Sequence, residues 1–360
     1  MTRPDIAILT SGHNVADARL HREVRALQRR GLTVEVLGLG DAADGPDGAL
    51  VRTWPRGNPV SRAWLAAMLP WRTQARVMVT LDPDITMTAW LRRALSPRRR
   101  LVADVHEDYL ALLKDRAWAR GLVGAIAGLW ARLGAWAATR ATVTVVADTH
   151  LLPQAPKRLV LTNSPDLTLV PDPSELAEVP RALYIGDIRA SRGLDAMLAA
   201  VAAAPRWHLD LVGRVSTAQG RALLDDVAKD PALQGRVHSY GHLPPERAWQ
   251  HAQGAWVGLM LLDDTPAFRA AVPSKLSEYT AAGLAVIATP LPRVVERLNA
   301  WGNGVICSDP QQVAASLREL AADPAQLQRL RAAARAWRAS CPVEAPDLAD
   351  FATRVQELAR

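Results

Sequence analysis

AVPSKLSEYTAAGLAVIAT, residues 271–289, holds a complete structural step in one short stretch. Pro273 and Ser274, residue types that start helices, precede a helix-like run carrying Lys275 and Glu278. That run ends at Gly283, which suits a helix C-terminus and a tight turn, and passes straight into the apolar segment LAVIAT. Loop, helix, turn and buried strand in that order form the repeating step of a parallel α/β sheet. Lys275 and Glu278 are one turn apart on nearly the same helix face, about 5 Å between ammonium and carboxylate. Two readings fit. One is an ordinary intrahelical ion pair. The other is a ligand site: the N–H groups of about 274–277 leave the helix N-terminus, where the dipole favours anions, and Lys275 adds a full positive charge. A cation and a carboxylate there suit a nucleotide diphosphate, with lysine to phosphate and glutamate accepting from the ribose hydroxyls.

Working outward, the same step repeats along the chain. IAILT (6–10) precedes a helical pattern over about 16–30, then come TVEVLGL (33–39), a Gly/Asp-rich loop, a helix near 61–75, RVMVTL (76–81) and a helix near 85–95. RLVADV (100–105), a long helical region, ATVTVV (141–146) and RLVLTN (158–163) complete a first domain over 1–163. SPDLTLVPDPSELAEVP (164–180) is rich in proline and acid without a period, which reads as a linker. The rhythm restarts with RALYIGDI, WHLDLVGRV, RVHSYGHL, AWVGLML, the opening stretch and GVICS, giving a second domain over 181–340. Residues 341–360 read as a last helix returning to the first domain. The fold class is α/β, with two doubly wound parallel-sheet domains that would bind ligands at the carboxyl ends of their strands.

With 360 residues, 49% apolar and 22% charged, the chain is globular and large enough for two cores. Two cysteines, Cys307 and Cys341, fit neither a disulfide framework nor a zinc site and point to a reducing compartment. Met1-Thr-Arg-Pro leads directly into the short run DIAILT, so no signal peptide is expected. The longest apolar segment, 121–143, is interrupted by Arg132 and Arg140 and reads as an amphipathic or largely buried helix. Residues 1–160 hold 23 Lys/Arg against 14 Asp/Glu, a net of +9, while the remainder holds 20 against 22. A basic first half facing an anionic partner and a solvated basic face both fit. Nucleic acid is disfavoured, since the basic residues are not interleaved with aromatics and no recognition motif occurs.

No G-x-G-x-x-G follows the first strand, where SGHNVADAR has the single glycine Gly12, and no G-x-x-x-x-G-K-[ST] loop occurs. A nicotinamide dehydrogenase and a P-loop NTPase are therefore disfavoured. H106-E107-D108 is no metal motif, because adjacent side chains diverge and no second ligand cluster is evident.

P-S-K-L-x-E-Y-x-A-A-G-L-A-V-I-A resembles the donor-nucleotide motif of the family 4 retaining glycosyltransferases, which have the GT-B fold of two Rossmann-like domains. The likeness extends to LYIGDIRASRGLDAML (183–198), VHSYGHLPPERAW (237–249), LDPDITMTAWL…LVADVHEDY (81–109) and DARLHREVRALQRRGLTVEVL (17–37). It implies that Lys275 and Arg192, the latter in place of the usual lysine, stabilise the departing diphosphate, and that His106 serves the reaction centre. It further implies donor contacts at Arg189, Gly241, His242, Leu243, Ala270, Ala271, Leu276 and Glu278. Acceptor contacts fall at Gly12, His13, Asp17, Glu107 and Asp108. Asp17 also reads as a plain N-cap. The expected co-substrate is a nucleotide diphosphate sugar, with no metal and no other cofactor, since protein cations take the metal's place.

The chain departs from the family pattern where Ala270 occupies the position of a first glutamate eight residues before Glu278. Two other readings stay open: a nucleotide-sugar 2-epimerase conscripting His242 and Glu246, and a catalytically inactive nucleotide-sugar-binding subunit. The acceptor would be a glycan, a lipid-linked sugar or a small molecule. WLAAMLPW (64–71), the tryptophan-rich 118–136 segment and the basic first half add peripheral contact with an anionic membrane. A cytoplasmic, bacterial protein on the inner membrane face is the corresponding expectation.

Overall fold

The computed structural model describes residues 3–114 and 120–360. Its packing divides the chain into two units, Met1–Asn163 with Glu344–Arg360, and Ser164–Val343.

The first unit runs β1 (Ile6–Asn14), α1 (Ala18–Arg29), β2 (Val34–Leu39), β3 (Leu50–Trp54), α2 (Pro59–Arg72), β4 (Val77–Thr80), α3 (Pro83–Leu95), β5 (Arg100–Val105), α4 (Tyr109–Lys114), α5 (Gly121–Thr139), β6 (Val143–Val146) and β7 (Arg158–Val160). Its sheet has the order β3-β2-β1-β4-β5-β6-β7, parallel throughout. The strands read as continuous apolar runs because both faces are covered. Ile6 and Ile8 face Leu20, Val24 and Leu27 of α1, while Ala7 and Leu9 face Leu65 and Leu69 of α2 and Ile85 and Ala89 of α3.

The second unit runs β8 (Arg181–Ile185), α6 (Leu194–Ala202), β9 (His208–Val212), α7 (Ala218–Val227), β10 (Val237–Ser239), α8 (Pro245–Ala248), β11 (Val257–Met260), α9 (Pro266–Ala270), α10 (Ser274–Ala281), β12 (Ala285–Ala288), α11 (Pro292–Trp301), β13 (Gly304–Ile306), α12 (Pro310–Ala322) and α13 (Pro324–Ser340). Its strand order is β10-β9-β8-β11-β12-β13, again all parallel. The last helix, α14 (Pro346–Ala359), belongs to the first unit, where Leu348, Phe351 and Val355 join the layer built by α1. Glu344 holds its entry, pairing with Arg29 at 3.0 Å and Arg30 at 3.2 Å.

Two sequence expectations need correction. Residues 164–180 are not a free linker but part of the second unit: Leu169 and Val170 are buried, Leu176 bridges Gly254, and Arg331 donates to the Ser174 carbonyl at 2.6 Å. A strap anchored by isolated apolar residues and main-chain carbonyls has no period for sequence reading to detect. The strand β3 was not expected either, because an edge strand with a half-exposed pattern lacks the apolar run of its neighbours.

Candidate active site

In a doubly wound sheet the strand order reverses at one point, and the loops leaving the two strands there diverge to open a crevice. The second unit reverses between β8 and β11. The loop after β8 carries Gly186, Asp187, Arg189 and Arg192, and the chain after β11 leads into α10 with Lys275 in its first turn.

The N-cap of α10 is Pro273, which offers no side-chain cap, so the first N–H groups of the helix have no capping oxygen from that residue. Lys275 is 7% exposed and Glu278 6%. Among the described residues the Lys275 Nζ has no hydrogen-bond partner. It lies 3.9 Å from the centre of the Tyr184 ring, whose negative face attracts it. Burial, and then repulsion from Arg192, push the Lys275 ammonium well below its ordinary pKa. The intrahelical ion-pair reading of Lys275 thus gives way to a buried cation poised against an aromatic face. Arg192 lies over Phe268 at 5.9 Å, and Arg189 is 3.4 Å from Asp187.

Glycine lets these loops approach closely. Gly213, leaving β9, has φ +150°, and a Cβ there would overlap the Gly186 carbonyl oxygen. At Gly186 itself, φ +140°, a Cβ would come within 2.8 Å of the Lys275 Nζ. The Gly213 N–H donates to the Gly241 carbonyl at 2.7 Å, so the ends of β8, β9 and β10 are stitched together. Gly241 and His242 are exposed beside this seam, whereas Leu243 packs against the core under α10. Ala270 closes α9, and Ala271 continues in extended backbone toward Pro273. Leu276 is wholly buried beneath the lysine and serves packing.

The first unit reverses between β1 and β4, and a second polar cluster gathers there. Asp82, just after β4, accepts from the Thr10 hydroxyl at 2.6 Å, the Ser11 N–H at 2.9 Å and the Gly12 N–H at 3.0 Å. The Ser11 and Gly12 amides in the last part of β1 are therefore occupied by a carboxylate of the chain itself. Asp82 also lies 3.2 Å from His13 and 3.3 Å from Arg62. Burial opposes its ionisation, yet His13 and Arg62 hold it below the usual carboxylate range. Against its own burial, Asp82 pushes the His13 imidazole up to about 9. Asp17 caps α1, accepting from Arg19 N and Leu20 N. The charges of His13 and His106 overcome burial to keep it ionised, so cap and neighbour to the histidines are compatible roles.

His106 follows β5, with its Nε2 2.6 Å from Asp104 Oδ2 and its ring edge-on to His13 at 5.5 Å. Arg19 clamps Asp104 through Nε at 2.7 Å and a second nitrogen at 2.8 Å. Although burial opposes it, Arg19 and His106 hold Asp104 well below the carboxylate range. An ionised Asp104 only accepts, so Nε2 of His106 carries the proton of that contact, and in the neutral form of the ring Nδ1 is the acceptor. Glu23 completes the buried group, 3.3 Å from Arg19 Nε; burial and Asp104 push it well above its ordinary pKa. Glu23, Asp104 and His106 bring ligand-type atoms within 4.8 Å of one another, a cluster not evident from sequence because Glu23 arrives from α1. Arg19 already supplies the positive charge at that point. Glu107 and Asp108 are exposed, Asp108 accepting from Leu110 N at 3.0 Å. Beside them a cavity of about 240 Å³ is lined by Asp104, Glu107 and Tyr109 on one side and Gly134, Ala138 and Leu151 on the other.

Sequence reasoning missed Tyr184, Gly213, Asp82, Arg19 and Glu23, all of which shape these clusters. The glycine that directly follows an apolar strand in YIGD and LVGR was the one available signal.

Residues 172–337 match the family model for glycosyl transferases group 1. No curated protein matches the sequence. Sucrose-phosphate synthase of Thermosynechococcus elongatus superposes with a TM-score of 0.69 at 16% identity, over 98% of each chain. HepE of Anabaena, solved in complex with UDP-glucose, gives 0.69 and 16% over 98% of each chain. WaaG, a glycosyltransferase involved in lipopolysaccharide biosynthesis, gives 0.62 and 15% over 97% of this chain and 99% of its own. The two parallel-sheet units have the GT-B type of fold, and over residues 172–337 the chain is similar to the glycosyl transferases group 1 family.

Proposed function

We propose that this chain is a retaining glycosyltransferase of the family 4 kind. It would move a hexose-type sugar from a nucleotide diphosphate sugar to a hydroxyl of a glycan, glycolipid or small-molecule acceptor, without a catalytic metal. The observation that carries the reading is the buried Lys275 ammonium, without a hydrogen-bond partner among the described residues, at the N-terminus of α10 beside Arg192 and Gly186. A desolvated cation next to a glycine seam and a helix N-terminus has the chemistry to meet a diphosphate. UDP-glucose and UDP in the HepE structures support the donor class.

Departure of the diphosphate builds negative charge on its oxygens. Lys275, Arg192 and the N–H groups of α10 stabilise that charge more than they stabilise the bound donor, which lowers the barrier. These groups supply the charge a metal would otherwise provide. Glu278 accepts from the ribose hydroxyls, Arg189 assists at the phosphates, and backbone at Gly241, His242 and Leu243 contacts the base. Backbone around Ala270 and Ala271 takes over the sugar contact of the absent first glutamate. In the first unit His106 receives a sugar hydroxyl on Nδ1, with Gly12, His13, Asp17, Glu107 and Asp108 serving the acceptor. In the front-face step the bond from the sugar C1 to the phosphate oxygen breaks. The bond from C1 to the acceptor oxygen forms on the same face, and the acceptor proton passes to the departing phosphate oxygen.

The test is product analysis by NMR with UDP-, GDP-, ADP- and TDP-sugars, each with and without an acceptor panel. Transfer with retained anomeric configuration is expected. Consumption of donor without acceptor would instead indicate the epimerase, and diphosphate binding without any turnover would indicate an inactive subunit. Activity in the cytoplasm of a bacterium fits the reading.

A further inference from the structure

In the first unit, α2, α3 and α5 cover one face of the sheet, and their outer sides form one surface. On α5, Leu122, Ile126, Leu129, Leu133 and Trp136 follow each other at steps of three and four residues, a single stripe along the helix. Every one is exposed, from 77% at Leu122 to 40% at Trp136. Of the two expectations for this segment, an amphipathic or a largely buried helix, the exposed stripe supports the first. α2 repeats the pattern with Val60, Trp64 and Trp71, and α3 with Leu91 and Leu95. Aromatic contacts join the three helices: Trp90 of α3 meets Trp136 of α5 edge-on at 4.7 Å, and Arg92 of α3 lies over Trp71 of α2 at 5.4 Å. An exposed apolar surface of this extent marks an interaction site.

The charges around it select the partner. α2, α3 and α5 together contain five arginines and one acid, Asp84, and Asp84 is held by Arg62 at 2.9 Å. Arg72, Arg120, Arg132 and Arg140 are exposed around the apolar stripes. Arg140 lies over the Trp136 ring at 4.3 Å, a cation and an amphipathic ring side by side, as at a headgroup boundary.

We propose that this face docks on the surface of a bilayer containing anionic lipids, with α5 lying in the headgroup plane. By length and apolar composition α5 could also cross a membrane. Its opposite side excludes that. Ala131, Gly134 and Ala138 are buried, and a Cβ at Gly134 would come within 2.5 Å of Pro83, so α5 is seated on the start of α3. Residues 118 and 119 of the tryptophan-rich segment lie outside the described residues.

The test is sedimentation of the full chain with vesicles of phosphatidylcholine alone or with roughly 30% phosphatidylglycerol. Binding is expected to the anionic vesicles only, and to weaken at high salt. Arg132→Gln and Arg140→Gln should each lower the partition coefficient roughly fivefold. The triple variant Ile126→Asn, Leu129→Asn, Leu133→Asn should lose roughly tenfold or more while its circular dichroism and Tm stay unchanged, because all three side chains face solvent. Equal partition onto both vesicles, or an unaltered triple variant, overturns the proposal. So does a wild-type dimer in light scattering that the triple variant makes monomeric, since the surface then belongs to a second copy. None of these readouts depends on sugar transfer, so the outcome is separable from the proposed reaction.

Discussion

Replacing Lys275 by methionine removes the charge and keeps most of the volume. The wild-type ammonium is buried, lacks a hydrogen-bond partner among the described residues, and is repelled by Arg192. Relieving a desolvated charge that Glu278 and Asp187 offset only in part should stabilise the unliganded protein by about 1–3 kcal/mol. For a unit of this size that raises Tm by about 3–9 °C. If Lys275 were instead one half of a structural ion pair, the same change would cost about 3–5 kcal/mol. The two readings thus differ in sign. UDP binding should move the other way, losing about 2–4 kcal/mol, or roughly 30- to 1,000-fold in Kd. The pH dependence follows from linkage. The folded pKa of Lys275 lies below its ordinary 10.5, so between those two values the unfolded chain binds the extra proton and stability rises with pH. Below the folded pKa the penalty is fully present. Diphosphate reverses the shift, so UDP affinity should fall as pH rises through this window, with proton uptake on binding. Differential scanning calorimetry of the unliganded protein and titration calorimetry in buffers of different ionisation heat measure both. A methionine variant that melts lower than wild type, or binds UDP equally well, refutes the reasoning.

Gly213→Ala places a Cβ against the Gly186 carbonyl at a φ that alanine avoids, and should cost about 2–4 kcal/mol in denaturant titrations. His106→Ala should lower kcat about 100-fold with little change in UDP affinity; a pure binding defect in steady-state kinetics would contradict its placement. Asp104→Asn replaces an obligate acceptor by an amide that can donate to Nε2, releasing the His106 tautomer, and NMR of the ring nitrogens should show the proton shifting toward Nδ1. His13, raised to about 9 by Asp82, contributes stability that is fully present below about pH 6.5 and lost as pH rises through 9. Allowing for its 32% exposed side chain, the term is about 1–2 kcal/mol, so the Tm gap between wild type and His13→Gln should close above that pH.

Much of this protein can be read from one dimension. The strands buried on both faces are continuous apolar runs, and the helices carry their own start and stop residues, so PSKLSEYTAAGLAVIA reads as helix, turn and strand without a fold in hand. The positions of Arg192 and His106 after strand ends, and of Lys275 in the helix that leads into β12, follow from that same rhythm, because parallel strands put their loops on one edge. Tertiary structure decided what those residues meet. The isolation of Lys275 depends on Tyr184 and Gly186, which come from another strand. The ionised state of Asp104, and with it the orientation of His106, depends on Arg19 and Glu23 from α1. The capture of the β1 amides by Asp82 joins residues about seventy positions apart. Burial likewise reassigned the strap over 164–180, held by a few anchors, and decided between the two readings of α5, whose small-residue side faces inward while its large apolar stripe faces out. Periodicity reports that a helix has two sides. Which side the protein covers is settled only by the neighbour that packs against it.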